Sequence, residues 1–204
     1  MSPARARAPD APIIASMSTV DADELHRLST DEYHRLIEAG AFEDFPRIEL
    51  IDGLLLRMIP RTREHENAVA WLAQWLMFGV DQERFEVRIA GSLTLEGSEP
   101  EPDLAVIPRA APRPYHPATA ALVVEVAVSS LKRDLQRKPA LYARAAVGEY
   151  WVVDVEGRRI IVHRAPRGGS YTAVLDVSAG ARIAPAPAGL PELDVDELLR
   201  AANV

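Results

Sequence analysis

Apolar and polar positions along the chain follow helical and strand periods in turn, and turn residues separate the segments. Ser29 and Glu32 match a capping box, which predicts a helix over residues 29–39. The next two apolar runs flank Asp52 and Gly53, and this pair predicts a β-hairpin with a type I′ turn, because both central residues of that turn take positive φ. The N-terminal part of the fold is therefore expected to be a helix followed by a hairpin.

The remaining periodic segments predict further helices and strands. They are a helix over 64–78 capped by Gly79, strands over 85–95 (with a bulge at Gly91), 104–107 and 121–128, a mainly helical segment over 131–146, a three-stranded meander over 150–155, 159–164 and 171–177, and a short helix over 194–200. The helices and strands do not alternate strictly as βαβ units. This order predicts an α/β (α+β mixed) fold with a mixed central sheet flanked by helices and β-hairpins at both ends.

The domain organisation is expected to be simple. Residues 1–22 are predicted to be a flexible tail, residues 23–204 a single domain, and the proline-rich residues 184–191 an extended connector before the terminal helix. A chain of 204 residues with 48% hydrophobic and 26% charged residues has the composition of a globular protein with one well-buried core.

Composition also limits the possible chemistry. The chain has no cysteine, so a metal would have to be held by oxygen or imidazole ligands, and a cytoplasmic location is consistent with this. No apolar run approaches the length of about 18 residues that a membrane span needs. The net charge of -7 opposes nonspecific binding to nucleic acid, so local basic residues or bound cations would have to offset that repulsion.

One acid stands out in the segment 121–128, where seven apolar residues surround Glu125. An unpaired ionised carboxylate in a covered strand costs several kcal/mol, so Glu125 requires a cation. A functional site is one explanation. An edge-strand position facing water and a structural salt bridge with an arginine are the alternatives.

Asp103 is the expected partner of Glu125. Pro100 and Pro102 cannot donate sheet hydrogen bonds, so Asp103 is predicted to begin its strand. If the two strands are neighbours, the carboxylates face one spot, where a divalent cation would relieve their repulsion. Mg²⁺ favours such oxygen ligands. Taken alone, Asp103 is equally well explained as a turn or capping residue.

Lys138 is the candidate cationic group. An ammonium near a scissile phosphate could position the nucleophile or offset developing negative charge. The alternative is an exposed helix-surface pair with Asp134, which lies four residues earlier. Pro139 disfavours helical geometry at Lys138, so a helix either starts there or kinks. Nearby Lys132, Arg133 and Arg137 could contact phosphates or form a solvated helix face.

Several short motifs occur in a characteristic order. They are ELIDG around Glu49, a helix opening with His65, EPD, LVVEV, D-x-x-x-K-x-x-x-Y and VGEYWVVD, and they run from about Tyr33 to Tyr171. This ordered set resembles the Uma-type family of restriction endonucleases in the PD-(D/E)XK nuclease superfamily. The resemblance implies a restriction-endonuclease-like core.

The resemblance also implies roles for individual residues. Asp103 and Glu125 would bind Mg²⁺ or Mn²⁺, and Lys138 would be the catalytic lysine. Glu49 would be an accessory acid, and His65 a further candidate for the same site.

One departure from the superfamily pattern concerns the lysine, which usually lies two positions after the glutamate, where this chain has Ala127. The following helix would then supply it as Lys138, with Asp134 a candidate for orienting it. Glu49 pointing outward from its hairpin and His65 as a solvated residue remain alternatives.

These expectations lead to one preferred function and two rivals. The preferred function is metal-dependent hydrolysis of DNA phosphodiester bonds, with a homodimer as the arrangement that cuts two strands. The first rival is a noncatalytic nuclease-fold module that binds nucleic acid or a protein partner. The second is a metal-dependent hydrolase of small phosphoesters.

Overall fold

The structure is a computed structural model that describes residues 25–44, 47–186, 189–190 and 192–203. The tail predicted over residues 1–22 lies outside the described residues, as do positions 187, 188 and 191 of the predicted connector. Within the described ranges, no helix combines the length and the apolar character that crossing a membrane requires.

The first helix, α1 (Thr30–Glu38), begins with the predicted capping box. The hydroxyl of Ser29 accepts a hydrogen bond from the backbone N–H of Glu32, and the Glu32 side chain accepts one from the backbone of Ser29. These bonds satisfy backbone donors that have no partner inside the helix. Gly40 adopts a φ of 73° directly after the helix, as expected for a residue that ends one.

The predicted hairpin follows as a separate two-stranded sheet, formed by β1 (Ile48–Ile51) and β2 (Leu54–Arg57). Its turn residues Asp52 and Gly53 have φ angles of 47° and 77°, which confirms the predicted positive values.

The central sheet has six strands in the order in which they occur along the chain. Neighbouring strands are antiparallel except for the central pair β5 and β6, which is parallel, so the predicted mixed sheet is confirmed. The strands are β3 (Phe85–Ile89), β4 (Leu104–Pro108), β5 (Leu122–Ala127), β6 (Glu149–Asp154), β7 (Arg159–Arg167) and β8 (Ser170–Ser178).

Helices cover both faces of this sheet. On one face, alternate residues of the four strands from β4 through β7 pack against α2 (Arg63–Gly79) and α5 (Val195–Ala202). The opposite layer joins the intervening strand residues to α4 (Lys138–Arg144), which follows the short α3 (Leu131–Gln136). Every residue of β5 is buried, because both faces of this strand are covered. A short pair, β9 (Arg182–Ile183) and β10 (Leu193–Asp194), precedes α5.

The strand predicted over residues 85–95 is wrong in its second half. β3 ends at Ile89, and Ala90 takes a φ of 48°, which turns the chain away from the sheet. The backbone N–H groups of Leu93 and Thr94 then donate to Pro100 and Pro117 rather than to a strand. The predicted bulge at Gly91 is absent, because β3 ends before this residue and the backbone after it bonds to the loops around Pro100 and Pro117 instead of to a neighbouring strand.

One helix boundary differs from the prediction: Gly79 is the last residue of α2 rather than its cap, and Val80 occupies the C-cap position. The mainly helical segment predicted over 131–146 is two helices separated at Arg137, with Pro139 in the first turn of α4, so the predicted helix start beside this proline is confirmed. Proline is tolerated there because the N–H groups of a first turn have no helical acceptor.

Candidate active site

The candidate site lies where β4 begins and β5 runs through the middle of the sheet. Leu104 pairs with Val124 in antiparallel register, which places Asp103 opposite Glu125. Both side chains are buried and line the same cavity. The expected partnership of the two carboxylates is therefore present, and Asp103 directly precedes its strand as predicted.

The carboxylate of Asp103 is held by one of its two oxygens. Its Oδ2 accepts a hydrogen bond of 2.9 Å from the backbone N–H of Val126 and lies 3.0 Å from Nε2 of His65. Burial raises the pKa of Asp103, but the bond and charge of His65 and the bond from Val126 outweigh it and hold that pKa below its usual value. Asp103 is thus kept ionised, and His65 is a partly buried site residue, with a side chain 12% exposed, rather than a solvated one.

Glu125 is also held by a single oxygen. Its Oε1 accepts hydrogen bonds from Nζ of Lys138 at 2.7 Å and from the hydroxyl of Tyr142 at 3.0 Å. Burial raises the pKa of Glu125 to about 8; Lys138 opposes this rise, and three neighbouring carboxylates add to it. In the absence of a further cation, burial therefore favours the protonated form of Glu125.

Lys138 is the buried ammonium at the centre of these acids. Its Nζ lies 3.7 Å from Oε2 of Glu49 and 3.7 Å from Oδ1 of Asp134, in addition to its bond to Glu125. Burial lowers the pKa of Lys138, but the three acids outweigh it and raise that pKa, so the group is charged. The alternative of an exposed Asp134–Lys138 surface pair is wrong, because both side chains are buried. Asp134 and Lys138 keep the i,i+4 contact across the break at Arg137, but the pair is enclosed by the sheet and its neighbours instead of facing solvent.

Glu49 and Asp134 have carboxylate oxygens without hydrogen-bond partners. Among the described residues, neither oxygen of Glu49 accepts a hydrogen bond, and the same is true of Oδ1 of Asp134. Arg133 approaches each carboxylate only to 3.8 Å. Glu49 is buried, so the alternative that it points outward from its hairpin is wrong. Three carboxyl groups thus surround the Lys138 ammonium, and Asp103 lines the same cavity, so the acids outnumber this lysine and favour binding of a further cation.

The cavity above these groups is small, with a volume of about 50 Å³, and is open to solvent. Arginines line its rim: Arg61 lies 3.7 Å from Oδ1 of Asp103, and Arg47 pairs with Glu101. The sequence analysis did not identify Arg61 as a site residue, and it gave no site role to Tyr142, which is a core residue whose hydroxyl contacts Glu125. Spacing could have identified Tyr142, which lies one helical turn after Lys138, whereas Arg61 lies in a loop that shows no pattern.

Asp103 and Glu125 are the carboxylates that could bind a divalent cation in this cavity. The described part of the chain contains no group of three or more His, Asp or Glu side chains arranged to hold a metal ion. Mg²⁺, however, commonly takes one or two carboxylates and completes its shell with water and substrate phosphate. Asp103 Oδ1 and Glu125 Oε2 accept no hydrogen bond from the described residues, so each carboxylate keeps one oxygen available. The two carboxylates fit such a cation.

Comparison with solved structures shows the fold. A putative nuclease belonging to DUF820 from Anabaena variabilis ATCC 29413 superimposes with a TM-score of 0.66 at 17% identity, covering 86% of this chain and 99% of that one. The type IIG restriction endonuclease BpuSI matches with a TM-score of 0.36 at 18% identity, covering 74% of this chain and 17% of that one. The first of these matches confirms the predicted mixed α/β nuclease core.

Comparison of the sequence with curated proteins returns no match. The family model Uma2, described as "Putative restriction endonuclease", matches residues 30–198, which is most of the chain. The chain therefore belongs to the Uma2 family, as its ordered motifs predicted.

Proposed function

We propose that this protein is a Mg²⁺- or Mn²⁺-dependent endonuclease that hydrolyses phosphodiester bonds of DNA. The observation that carries the proposal is the 2.7 Å contact between Nζ of Lys138 and Oε1 of Glu125, made in a cavity that Asp103 also lines. A buried ammonium held against one oxygen of a carboxylate leaves the other oxygen available for a cation. The family description supports the same chemistry.

Asp103 and Glu125 would hold the metal ion through the oxygens that protein donors leave available. When bound, Mg²⁺ supplies Lewis-acid polarisation of a phosphate and lowers the pKa of a coordinated water. His65 and the backbone of Val126 orient Asp103, while Lys138 and Tyr142 orient Glu125. These four donors fix both carboxylates before any substrate arrives, which avoids a reorganisation cost during the reaction.

Lys138 would act on the scissile phosphate as a fixed positive charge. Glu49 and Asp134 keep it protonated, and its position beside Glu125 directs it into the cavity. There it can orient the attacking water and offset charge that develops on the phosphate. Arg61, on the rim, is placed to bind a phosphate oxygen.

Cleavage of supercoiled DNA in Mg²⁺ or Mn²⁺ tests the proposal. Glu125→Gln and Lys138→Met should each lower the nicking rate by about 10²-fold or more, the usual effect of removing a preorganised charge-stabilising group. Glu83→Gln and Arg84→Met, which change the same charges on exposed residues beside β3, should leave the rate unchanged. Circular dichroism confirms that all four variants fold.

Equal nicking by the wild type and by both site variants would identify a contaminating nuclease and refute the assignment. Titration calorimetry separates the rival binding module. Absence of Mn²⁺ binding, together with DNA affinity that Glu125→Gln does not change, would support a noncatalytic role.

We further propose that residues 23–204 act as one domain and that two copies associate to cut both strands of a duplex, since each chain contributes one set of site residues. Sedimentation of the protein with and without a DNA duplex measures this. A monomer in both conditions would restrict the enzyme to single-strand nicking.

A further inference from the structure

A second concave surface adjoins the catalytic cavity, between β2 and α3. We call it the basic groove, and it is lined by Leu56, Arg57, Ile59, Ser129, Ser130, Lys132, Arg133, Gln136 and Arg137. Four lining residues (Ile59, Ser129, Ser130 and Arg133) also line the catalytic cavity. The two depressions therefore form one continuous surface, and a strand leaving the cavity on this side would enter the groove.

The charge of the groove is the opposite of that of the chain. Four of its lining residues are cationic and none is acidic, although the protein as a whole has a net charge of -7. Arg57, Lys132 and Arg137 are exposed and form no ion pair with any residue that the structure describes. Cations grouped without counter-charges repel one another, so the arrangement gains from a bound polyanion.

The junction between groove and cavity offers neutral donors as well. Ser130 occupies the N-cap position of α3, yet its hydroxyl makes no capping hydrogen bond. A hydroxyl in this position can donate to a phosphate oxygen, and serine contacts of this kind are common in DNA complexes. Arg133 lies at the same junction: it lies 3.8 Å from Glu49 and from Asp134 in the site, and it also lines the groove.

We propose that the basic groove binds the DNA backbone next to the scissile phosphate, with Arg57, Lys132 and Arg137 each contacting a phosphate. This inference rests on the proposed function, because it takes the adjoining cavity to be the place of cleavage. Three local phosphate contacts explain how an acidic protein retains DNA: affinity arises from counterion release at one surface and needs no positive net charge. Contacts of this kind position the strand without reading its sequence.

The test compares two triple variants that lose the same total charge. Arg57→Gln, Lys132→Gln and Arg137→Gln together neutralise the groove. The matched control carries Arg84→Gln, Arg109→Gln and Arg200→Gln. Arg84 and Arg109 lie at the end of the β3–β4 pair that is farther from Asp103, and Arg200 lies on α5. Fluorescence anisotropy with a labelled duplex in EDTA measures binding without cleavage, over a series of salt concentrations.

For the groove variant, the slope of log Kobs against log[salt] should become shallower by roughly 2 to 3, because each lost phosphate contact contributes about 0.9. If wild type and groove variant bind equally at 1 M salt, this change of slope lowers the affinity of the groove variant at 0.1 M salt by about eightfold for each lost contact. The control variant should keep the wild-type slope. Equal losses in both variants would attribute the effect to bulk charge, and an unchanged groove variant would remove the groove from binding. Either result overturns the inference.

Two further arms separate this inference from the proposed function. If the wild type does not cleave DNA but the groove variant shows the expected loss of binding, the groove stands and the nuclease proposal fails. If the wild type cleaves and the groove variant binds like wild type, the groove fails alone. Displacement of the duplex by polyglutamate as effectively as by unlabelled DNA would indicate an acidic protein ligand and overturn the assignment to DNA. Equal circular dichroism spectra and urea midpoints of the wild type, the groove variant and the control variant check that all three proteins fold.

Discussion

Replacing Glu125 by glutamine should change the way in which stability depends on pH. In the metal-free protein the pKa of Glu125 rises from 4.5 to about 8, first because of burial. Between these two pH values the folded state holds a proton that the unfolded chain has released. Stability from this group is therefore fully present below about pH 4.5 and falls until the pH reaches about 8. An amide cannot titrate, so Glu125→Gln removes this decline.

The size of the effect follows from the shift. One pKa unit corresponds to about 1.36 kcal/mol, so the shift from 4.5 to about 8 sets an upper limit on the order of 5 kcal/mol. Because Glu125 is buried, solvent screening does not reduce this value much. Relative to wild type, the free energy of unfolding of Glu125→Gln should rise by several kcal/mol from about pH 5 to about pH 9.

Urea denaturation in EDTA measures the effect, with fluorescence of the fully buried Trp151 as the signal. Titrating groups distant from the site contribute equally to both proteins, so the difference between the two stability curves reports on Glu125 and on the groups coupled to it. Glu83→Gln, an exposed substitution, controls for the change of net charge. A difference that stays constant within about 1 kcal/mol over this pH range would refute the argument that Glu125 is protonated in the folded, metal-free site.

Two other substitutions test the packing that supports the site. Tyr142→Phe removes the 3.0 Å hydrogen bond to Glu125 inside the core and should lower the free energy of unfolding by about 1–2 kcal/mol, seen as a lower urea midpoint; an unchanged midpoint would argue against this bond. Gly53→Ala places a Cβ 2.6 Å from Cβ of Arg27 at a φ of +77°, and we expect a loss of about 1–3 kcal/mol in thermal melting. At Gly97, where φ is +64° and nothing lies within 4 Å, the same substitution should cost only the conformational part, so equal losses would contradict the predicted clash.

Local signals were sufficient to predict most of the elements. The Ser29–Glu32 capping box and the Asp52–Gly53 turn depend on neighbours a few residues away, and both occur as predicted. The strand predicted over residues 85–95 failed for the converse reason. Its second half bonds to Pro100 and Pro117, which no local period reveals.

The site shows the same division. That Glu125 needs a cation followed from its own strand, since a single carboxylate among apolar residues cannot stay ionised without one. Its position opposite Asp103 required only that two strands consecutive in the sequence also pair in the sheet, and β4 and β5 do pair. The family itself was predicted from short motifs in a fixed order, and the match over residues 30–198 confirms it.

The sequence alone therefore predicted the family of the chain and the acids that the structure brings together in one cavity. Only the tertiary structure decided where Lys138 points. The i,i+4 spacing placed it beside Asp134 but did not show which way the pair faces; the packing of α3 and α4 against the sheet buries both side chains and sets the ammonium against Glu125. The direction of a side chain depends on the axis of its helix, and long-range packing sets that axis.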